Sequence, residues 1–460
     1  MLPASGRFNL AYTLYTGPIA TFSKARHNTR GALFGAILIS FAMVSWGQNA
    51  PASEAQATPS LGNSLQRART DNTQLHILYV HGMAASGPGD SASLDLRKSI
   101  CKFLHDCTTT AGEFDGTEYA DENHFALNAR PPELQYLGQP LWKIDANGKS
   151  EEWNASAPYV DHYKLERKGA PTIYLDEINW WPLVFAAKCR QIVAEDASLA
   201  GPIKKFIHTC SLAATPDRKN PGRFRTYPFI ANEQEINNLP AKGAYLNRSL
   251  KTFLLDWGFA DAVLAVGPMR SLFLEGIGEV ILKSVNVAAD GSRGDTVIPA
   301  PNQEFVIVSH SLGSYLMFSA LDIQPDSMTS IPDDRKKIVD RVLSNTSEAY
   351  FLANQVRLLE LANLEVAKDL VTHLKTWSSL RCAAQKTVPQ IVAWSDPSDL
   401  LTWSVPPLDP KIAVVKNLTI KNAHHWFWLI ESPTKAHTRY DQNKRVIETM
   451  LPKPKRGQEQ

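Results

Sequence analysis

The sequence predicts an α/β fold: a mostly parallel sheet flanked by helices. Three observations carry that expectation. First, short runs such as "QLHILYV", "EFVIVSH" and "QIVAWS" are apolar along most of their length instead of alternating, the pattern of strands covered on both faces. Second, stretches with apolar residues at helical spacing lie between such runs, at 251–267 and 271–290 for example. Third, a chain of 460 residues that is 44% apolar and 20% charged can bury a large core.

The elements follow in order. Residues 1–30 form a polar leader. "GALFGAILISFAMVSWG" (31–47) is almost wholly apolar and uncharged, with Lys24, Arg26 and Arg30 before it. A positive flank followed by an apolar core is the layout of a secretory signal or an uncleaved anchor. The core matches the lower end of a membrane span, ~17–25 residues. Small residues that suit cleavage follow at Ala55-Gln56-Ala57. The chain is therefore expected to be exported, or tethered to a membrane through this segment. Residues 48–74, rich in Ala, Pro, Ser, Gln and Asn, read as a flexible linker.

The folded part is expected over 75–450, followed by a basic polar tail at 451–460. Its first strand is "QLHILYV". A strand at 170–181 leads into the helix "PLVFAAKCRQIVAED", and two helices fill 251–267 and 271–290. The strand "EFVIVSH" and the helix "SLGSYLMFSALDI" come next, then the strands "QIVAWS" and "IAVVKNLTI". The polar, poorly periodic stretches 105–165 and 195–250 read as excursions above the sheet rather than parts of it.

Five cysteines stand at 101, 107, 189, 210 and 382. In an exported chain the natural local pairings are Cys101–Cys107 and Cys189–Cys210. No CxxC pair or His/Cys cluster has structural-zinc spacing, and the chemistry expected below requires neither metal nor cofactor. "AHH" (423–425) and "LHDC" (104–107) read as ordinary surface or core residues. A net charge of +2, from 48 basic and 46 acidic residues, gives no electrostatic footprint for nucleic acid.

The chemistry centres on "FVIVSHSLGS" (305–314). An apolar strand runs into Ser311 and an amphipathic helix follows, with the small residues Ser309 and Gly313 two positions either side. A nucleophilic hydroxyl raised on a tight strand-to-helix turn needs small neighbours there, because larger side chains would collide. Its oxyanion needs two backbone N–H groups. The Leu312 N–H at the start of the helix is one candidate, and the Met83 N–H after "ILYVHG" is the other, with Gly82 leaving the backbone approachable. His81 reads as a loop-shaping residue.

Together "ILYVHGM", "FVIVSHSLGSYL", "IVAWSDPSDLL" and "AHTRY" resemble the α/β-hydrolase superfamily, in its lipase- and esterase-like branch. The resemblance spans roughly 75–450 and implies a Ser, acid, His triad in that chain order. A large insertion, a lid or cap, precedes the nucleophile strand. Ser309 replaces the Gly usual in this family. For the acid, Asp396 and Asp399 are both present. "DPSDLL" resembles hydrolases in which the second Asp serves, which points to Asp399, while Asp396 suits a turn before Pro397. For the base, His437 lies on a polar loop before a terminal helix, as in the family's last motif. His424 and His425 remain alternatives, though their aromatic neighbours suit packing. Trp180, Trp181, Trp257 and Phe259 fit core positions better than pocket ones, and the small residues of "LLDWGFADAVLAVG" suit a close-packed lid helix.

The expected function is a serine hydrolase cleaving a carboxylic ester, an acyl lipid being the guessed substrate. An acyltransferase or thioesterase would use the same triad. The rival of another class is a membrane-tethered binding protein on a hydrolase fold.

Overall fold

In the computed structural model, residues 60–82, 92–120, 140–144, 150–154, 158–180, 260–267, 270–285, 299–300, 302–321, 333–362, 365–384, 386–422 and 433–452 are described. The chain enters through α1 (Leu61–Thr70), β1 (Gln74–Val80), α2 (Leu94–Leu104) and β2 (Glu113–Tyr119). A hairpin of β3 (Pro140–Ile144) and β4 (Ser150–Asn154) follows, then β5 (Tyr159–Arg167) and β6 (Ala170–Asn179). Beyond these come α3 (Ala260–Val266), α4 (Arg270–Val285), β7 (Gln303–His310), α5 (Gly313–Leu321), α6 (Asp333–Asn345) and β8 (Thr346–Leu352). The last elements are α7 (Val356–Ala362), α8 (Glu365–Ala383), β9 (Gln390–Ser395), β10 (Val414–Thr419), α9 (Pro433–Thr438) and α10 (Lys444–Met450).

Eight strands form one sheet in the order β10-β9-β8-β7-β1-β6-β5-β2. From β6 to β10 every neighbouring pair is parallel, and β5 and β2 add to the other edge in antiparallel fashion. The fold is thus α/β, a mostly parallel mixed sheet with flanking helices. Its central strands are apolar throughout because both faces are covered. In β7, Phe305 and Ile307 enter the core cluster shared with α4, α5, α6 and α8. Val306 and Val308 enter the opposite cluster, shared with α1, α2 and α10. After β1 the chain runs to the far edge at β2 and returns through β5 to β6, and after β7 it builds the other way. The carboxyl ends of β1 and β7 therefore flank the reversal of strand order, where open α/β sheets place their ligands.

Three boundaries differ from the sequence expectation. The linker read over 48–74 contains α1, capped by Ser60, whose side chain accepts from the Asn63 N–H at 3.2 Å. Leu61, Leu65 and Ala68 are all buried. Three apolar residues in one ten-residue helix, among seven polar or small ones, give too thin a stripe to stand out from a polar stretch. The excursion read over 105–165 contains two strands of the main sheet, β2 and the start of β5. β5 reads as polar because it carries Asp161 and His162, both buried and both partnered across strands. His162 Nδ1 lies 2.6 Å from Asp176 Oδ1 on β6, and Thr117 on β2 donates to Asp161. β2 is the exposed edge, broken by a register shift at Gly116 (φ 137°), a device that blunts edge pairing.

At the far end Leu451 is buried, so the tail begins later than 451. Cys101 and Cys107 form a disulfide with Cα atoms 5.2 Å apart, and Cys382 is free and exposed. Cys189 and Cys210 lie outside the described residues, as do the apolar segment 31–47 and the stretch 195–250. Among the described residues no helix is long and apolar enough to cross a membrane.

Candidate active site

β7 ends at His310, and the next residue, Ser311, takes φ 56°, left-handed backbone that a side-chain-bearing residue rarely adopts. The turn is held from several sides. The Ser311 N–H donates to the Leu352 carbonyl on β8 at 2.7 Å, and the Ser314 N–H donates to the Ser311 carbonyl at 3.2 Å. Gly313 starts α5 against the backbone of β1. A Cβ there would sit 2.5 Å from the Val80 carbonyl oxygen and 2.9 Å from that of His81, so no larger residue fits. Gly82 passes equally close: a Cβ on it would stand 2.7 Å from Ser311 Cβ. Ser309, where a Gly is usual, is buried and finds partners for its hydroxyl in Ser314 Oγ at 3.1 Å and the Tyr350 carbonyl at 3.4 Å. The extra side chain is accommodated without an orphaned polar group.

The structure brings Ser311, His437 and Asp399 together. His437, on α9, sets Nε2 2.9 Å from Ser311 Oγ. Its Nδ1 lies 2.9 and 3.0 Å from the two carboxylate oxygens of Asp399. An ionised carboxylate only accepts, so Nδ1 carries the proton and Nε2 is left to accept from the serine hydroxyl. All three residues are buried.

Asp399 sits on the turn after β9. Burial acts most strongly on its carboxyl and opposes charge. The hydrogen bond and charge of His437, the Thr402 hydroxyl and the Leu401 N–H outweigh it together, and the carboxyl stays below its ordinary value. Asp396 has a different task. Its carboxylate accepts from the Ser398 N–H at 2.8 Å and the Asn422 N–H at 2.6 Å, and its carbonyl takes the Asp399 N–H at 3.0 Å. Asn422 in turn donates from Nδ2 to the Ala436 carbonyl, beside His437. Asp396 thus shapes the loop that presents the acid and ties it to the segment that presents the imidazole. The geometry separates the two aspartates that the sequence left open.

Tyr440 and Thr402 are the residues that sequence reasoning missed. The Tyr440 hydroxyl accepts from the Asp396 N–H at 2.7 Å and donates to Asp399 Oδ2 at 3.2 Å, linking both aspartates. It lies in the turn between α9 and α10, so no helical or strand spacing marked it in the sequence. His310 packs edge-on against both His437 and Tyr440, with centroids 5.6 and 6.1 Å away. Burial, then the neighbouring His437, lowers its pKa to about 3, so it stays neutral through the working range.

Of the two candidate oxyanion donors, Leu312 follows Ser311 directly. Its N–H stands at the opening of α5, where N–H groups lack intrahelical acceptors. Met83 lies outside the described residues, as do His424, His425, Trp181, Trp257 and Phe259. Trp180 is fully buried, stacks on His81 at 5.8 Å and donates from its indole to the His81 carbonyl at 2.9 Å. It therefore braces the β1 loop that runs past Ser311. Among the described residues no group of His, Cys, Asp or Glu has a metal-holding arrangement. The chain matches no family model, no curated protein and no solved structure in the three comparisons made.

Proposed function

We propose that the chain is a serine hydrolase of the α/β-hydrolase superfamily, lipase- and esterase-like, that cleaves a carboxylic ester through an acyl-enzyme. The observation that carries the reading is the continuous relay from Ser311 Oγ through His437 to Asp399, on a strand-to-helix turn with Ser311 at φ 56°. Hydrogen-bonded nucleophile, base and orienting acid are the geometric requirement for an activated serine.

In this reading Ser311 Oγ attacks the acyl carbon while its proton passes to His437 Nε2. Asp399 keeps the imidazole in its Nδ1–H tautomer and stabilises the imidazolium without taking the proton. The N–H groups of Leu312 and Met83 hold the tetrahedral oxyanion. His437 then protonates the departing alkoxide, and a water repeats the sequence on the acyl-enzyme. Leu400 and Trp403, 56% and 45% exposed, lie just after Asp399 and supply apolar surface suited to an acyl chain. The uncharged segment 31–47 and the Cys101–Cys107 bridge support export or tethering on the oxidising side of a membrane.

The test is hydrolysis of p-nitrophenyl esters of graded chain length by the full chain, beside Ser311→Ala. Turnover that vanishes in the variant supports the reading. A folded parent with no activity on any ester, and no reaction with a fluorophosphonate, removes it in favour of a binding protein.

A further inference from the structure

A cavity opens at the amino ends of β7, β8 and β9, across the sheet from the serine. An eight-residue strand separates it from Ser311, roughly 26 Å at ~3.3 Å per residue. Its volume is about 470 Å³, within the ~300–1,000 Å³ of small-molecule sites. Three cations, Arg67, Arg381 and Lys386, face two carboxylates, Glu304 and Glu348, in its lining.

The pairing among these charges is uneven. Arg67 Nη2 takes Glu304 at 2.6 Å and approaches Glu348 at 3.7 Å. Glu304 also accepts from Ser347, and Glu348 from Ser64 and Tyr350, so both carboxylates are engaged on that side. Arg381 and Lys386 form no ion pair among the described residues. Arg381 donates through Nε and Nη1 to the carbonyls of Thr387, Ser344 and Thr346, and among the described residues its Nη2 has no acceptor. The Lys386 ammonium rests on Asn345 Oδ1 at 2.6 Å. Asn345 is 4% exposed, and its Nδ2 has no acceptor. Buried amide donors are seldom left idle. Burial, then the like charge of Arg381, lowers the Lys386 pKa, and the charge of Glu304 only partly offsets them.

We propose that this cavity binds a small organic phosphate, with its phosphoryl oxygens on Arg381, Lys386 and Asn345 and its polar body toward Glu304 and Arg67. Guanidinium, ammonium and amide donors converge here from three residues. They suit the three oxygens of a phosphomonoester better than the two of a carboxylate. The cavity exceeds what a bare phosphate fills, which calls for an organic body. The inference is independent of the hydrolase reading.

Isothermal titration of the full chain with glycerol 3-phosphate, inorganic phosphate and acetate at matched ionic strength tests it. The expected result is saturable binding of glycerol 3-phosphate, weaker binding of inorganic phosphate and none of acetate. Lys386→Met should weaken it about tenfold, the loss of one charge-assisted contact, and Asn345→Asp by at least as much. Asn345→Asp keeps an oxygen for Lys386, removes the donor and adds a negative charge that repels the phosphoryl group. Should that variant fail to fold, Lys386→Met decides alone, because its side chain is exposed. Four outcomes overturn the proposal: no saturable binding, acetate binding equally well, inorganic phosphate binding as tightly as the ester (an adventitious ion only), or binding unchanged in both variants. Ester turnover by Ser311 is read separately, so either claim can fall without the other.

Discussion

At the carboxyl ends of β7 and β9 the polar atoms of the relay are spoken for: Ser311 faces His437, His437 faces Asp399, and Asp399 also accepts from Leu401, Thr402 and Tyr440. At the amino ends of the same strands a cavity of about 470 Å³ is bordered by two cations that form no ion pair, and an amide donor that finds no acceptor, among the described residues. The same strands thus end in a closed relay on one side and an unfinished one on the other. A closed relay has fixed proton positions before any substrate arrives, as nucleophilic catalysis requires. An unfinished one is completed by a ligand. Saturation of hydrogen bonds, more than the presence of charged residues, separates the two regions.

Substitutions sharpen or break this contrast. Ser311→Ala should abolish ester turnover, by on the order of 10⁵-fold in kcat, while thermal melting stays near the parent's. Substantial residual turnover would move the nucleophile elsewhere. Asp399→Asn should lower kcat by ~10⁴-fold through the wrong imidazole tautomer. Asp396→Asn should act chiefly on stability, by ~1–3 kcal/mol in urea unfolding, as its backbone bonds weaken. Equal kinetic losses in the two variants would undo the division of labour between the aspartates.

Gly313→Ala forces a methyl group to within 2.5 Å of the Val80 carbonyl. It should cost ~3 kcal/mol of stability and much of the activity together, since the backbone that would have to yield also positions Ser311. A smaller effect comes from Asp441, whose carboxyl burial, then the charge of Asp95, raises to about 6. Its folded-state pKa lies above the ordinary ~3.9, so the folded chain holds the extra proton between pH ~4 and ~6 and loses stability as pH rises through that window. Asp441→Asn cannot ionise and should melt higher than the parent above pH ~6, by on the order of 2 kcal/mol, with the gain vanishing below pH ~4. Asp399 has the opposite sign: its lowered carboxyl adds stability above the ordinary value, lost as pH falls through its own. The smallest effect belongs to the other end of the sheet. Lys386→Met should leave ester kinetics within about twofold of the parent, since distant sites without shared partners act independently. A large kinetic loss there would mean that the two ends are coupled.

Much of the relay was legible in the sequence because each member is marked locally. An apolar strand runs into Ser311 between small residues, Asp399 follows a second apolar strand, and His437 precedes a terminal helix. What escaped depends on contacts that no local pattern records. β5 reads as loop because the partners that make His162 and Asp161 tolerable in a sheet sit on β6 and β2. α1 is committed by three small contacts with a core assembled elsewhere. Tyr440 stands in the motif "AHTRY", but its bonds to two aspartates some forty residues earlier appear only in three dimensions. The cavity escaped more completely, since α1, β7, α6, β8, α8 and β9 each bring one or two of its polar groups.

The most direct measurement is the intact mass of the full chain after fluorophosphonate treatment, with the adduct mapped by peptide sequencing. The account predicts a single adduct on Ser311, formed far more slowly in His437→Ala and absent from Ser311→Ala. A folded, unlabelled parent, or an adduct on any other residue, would contradict it.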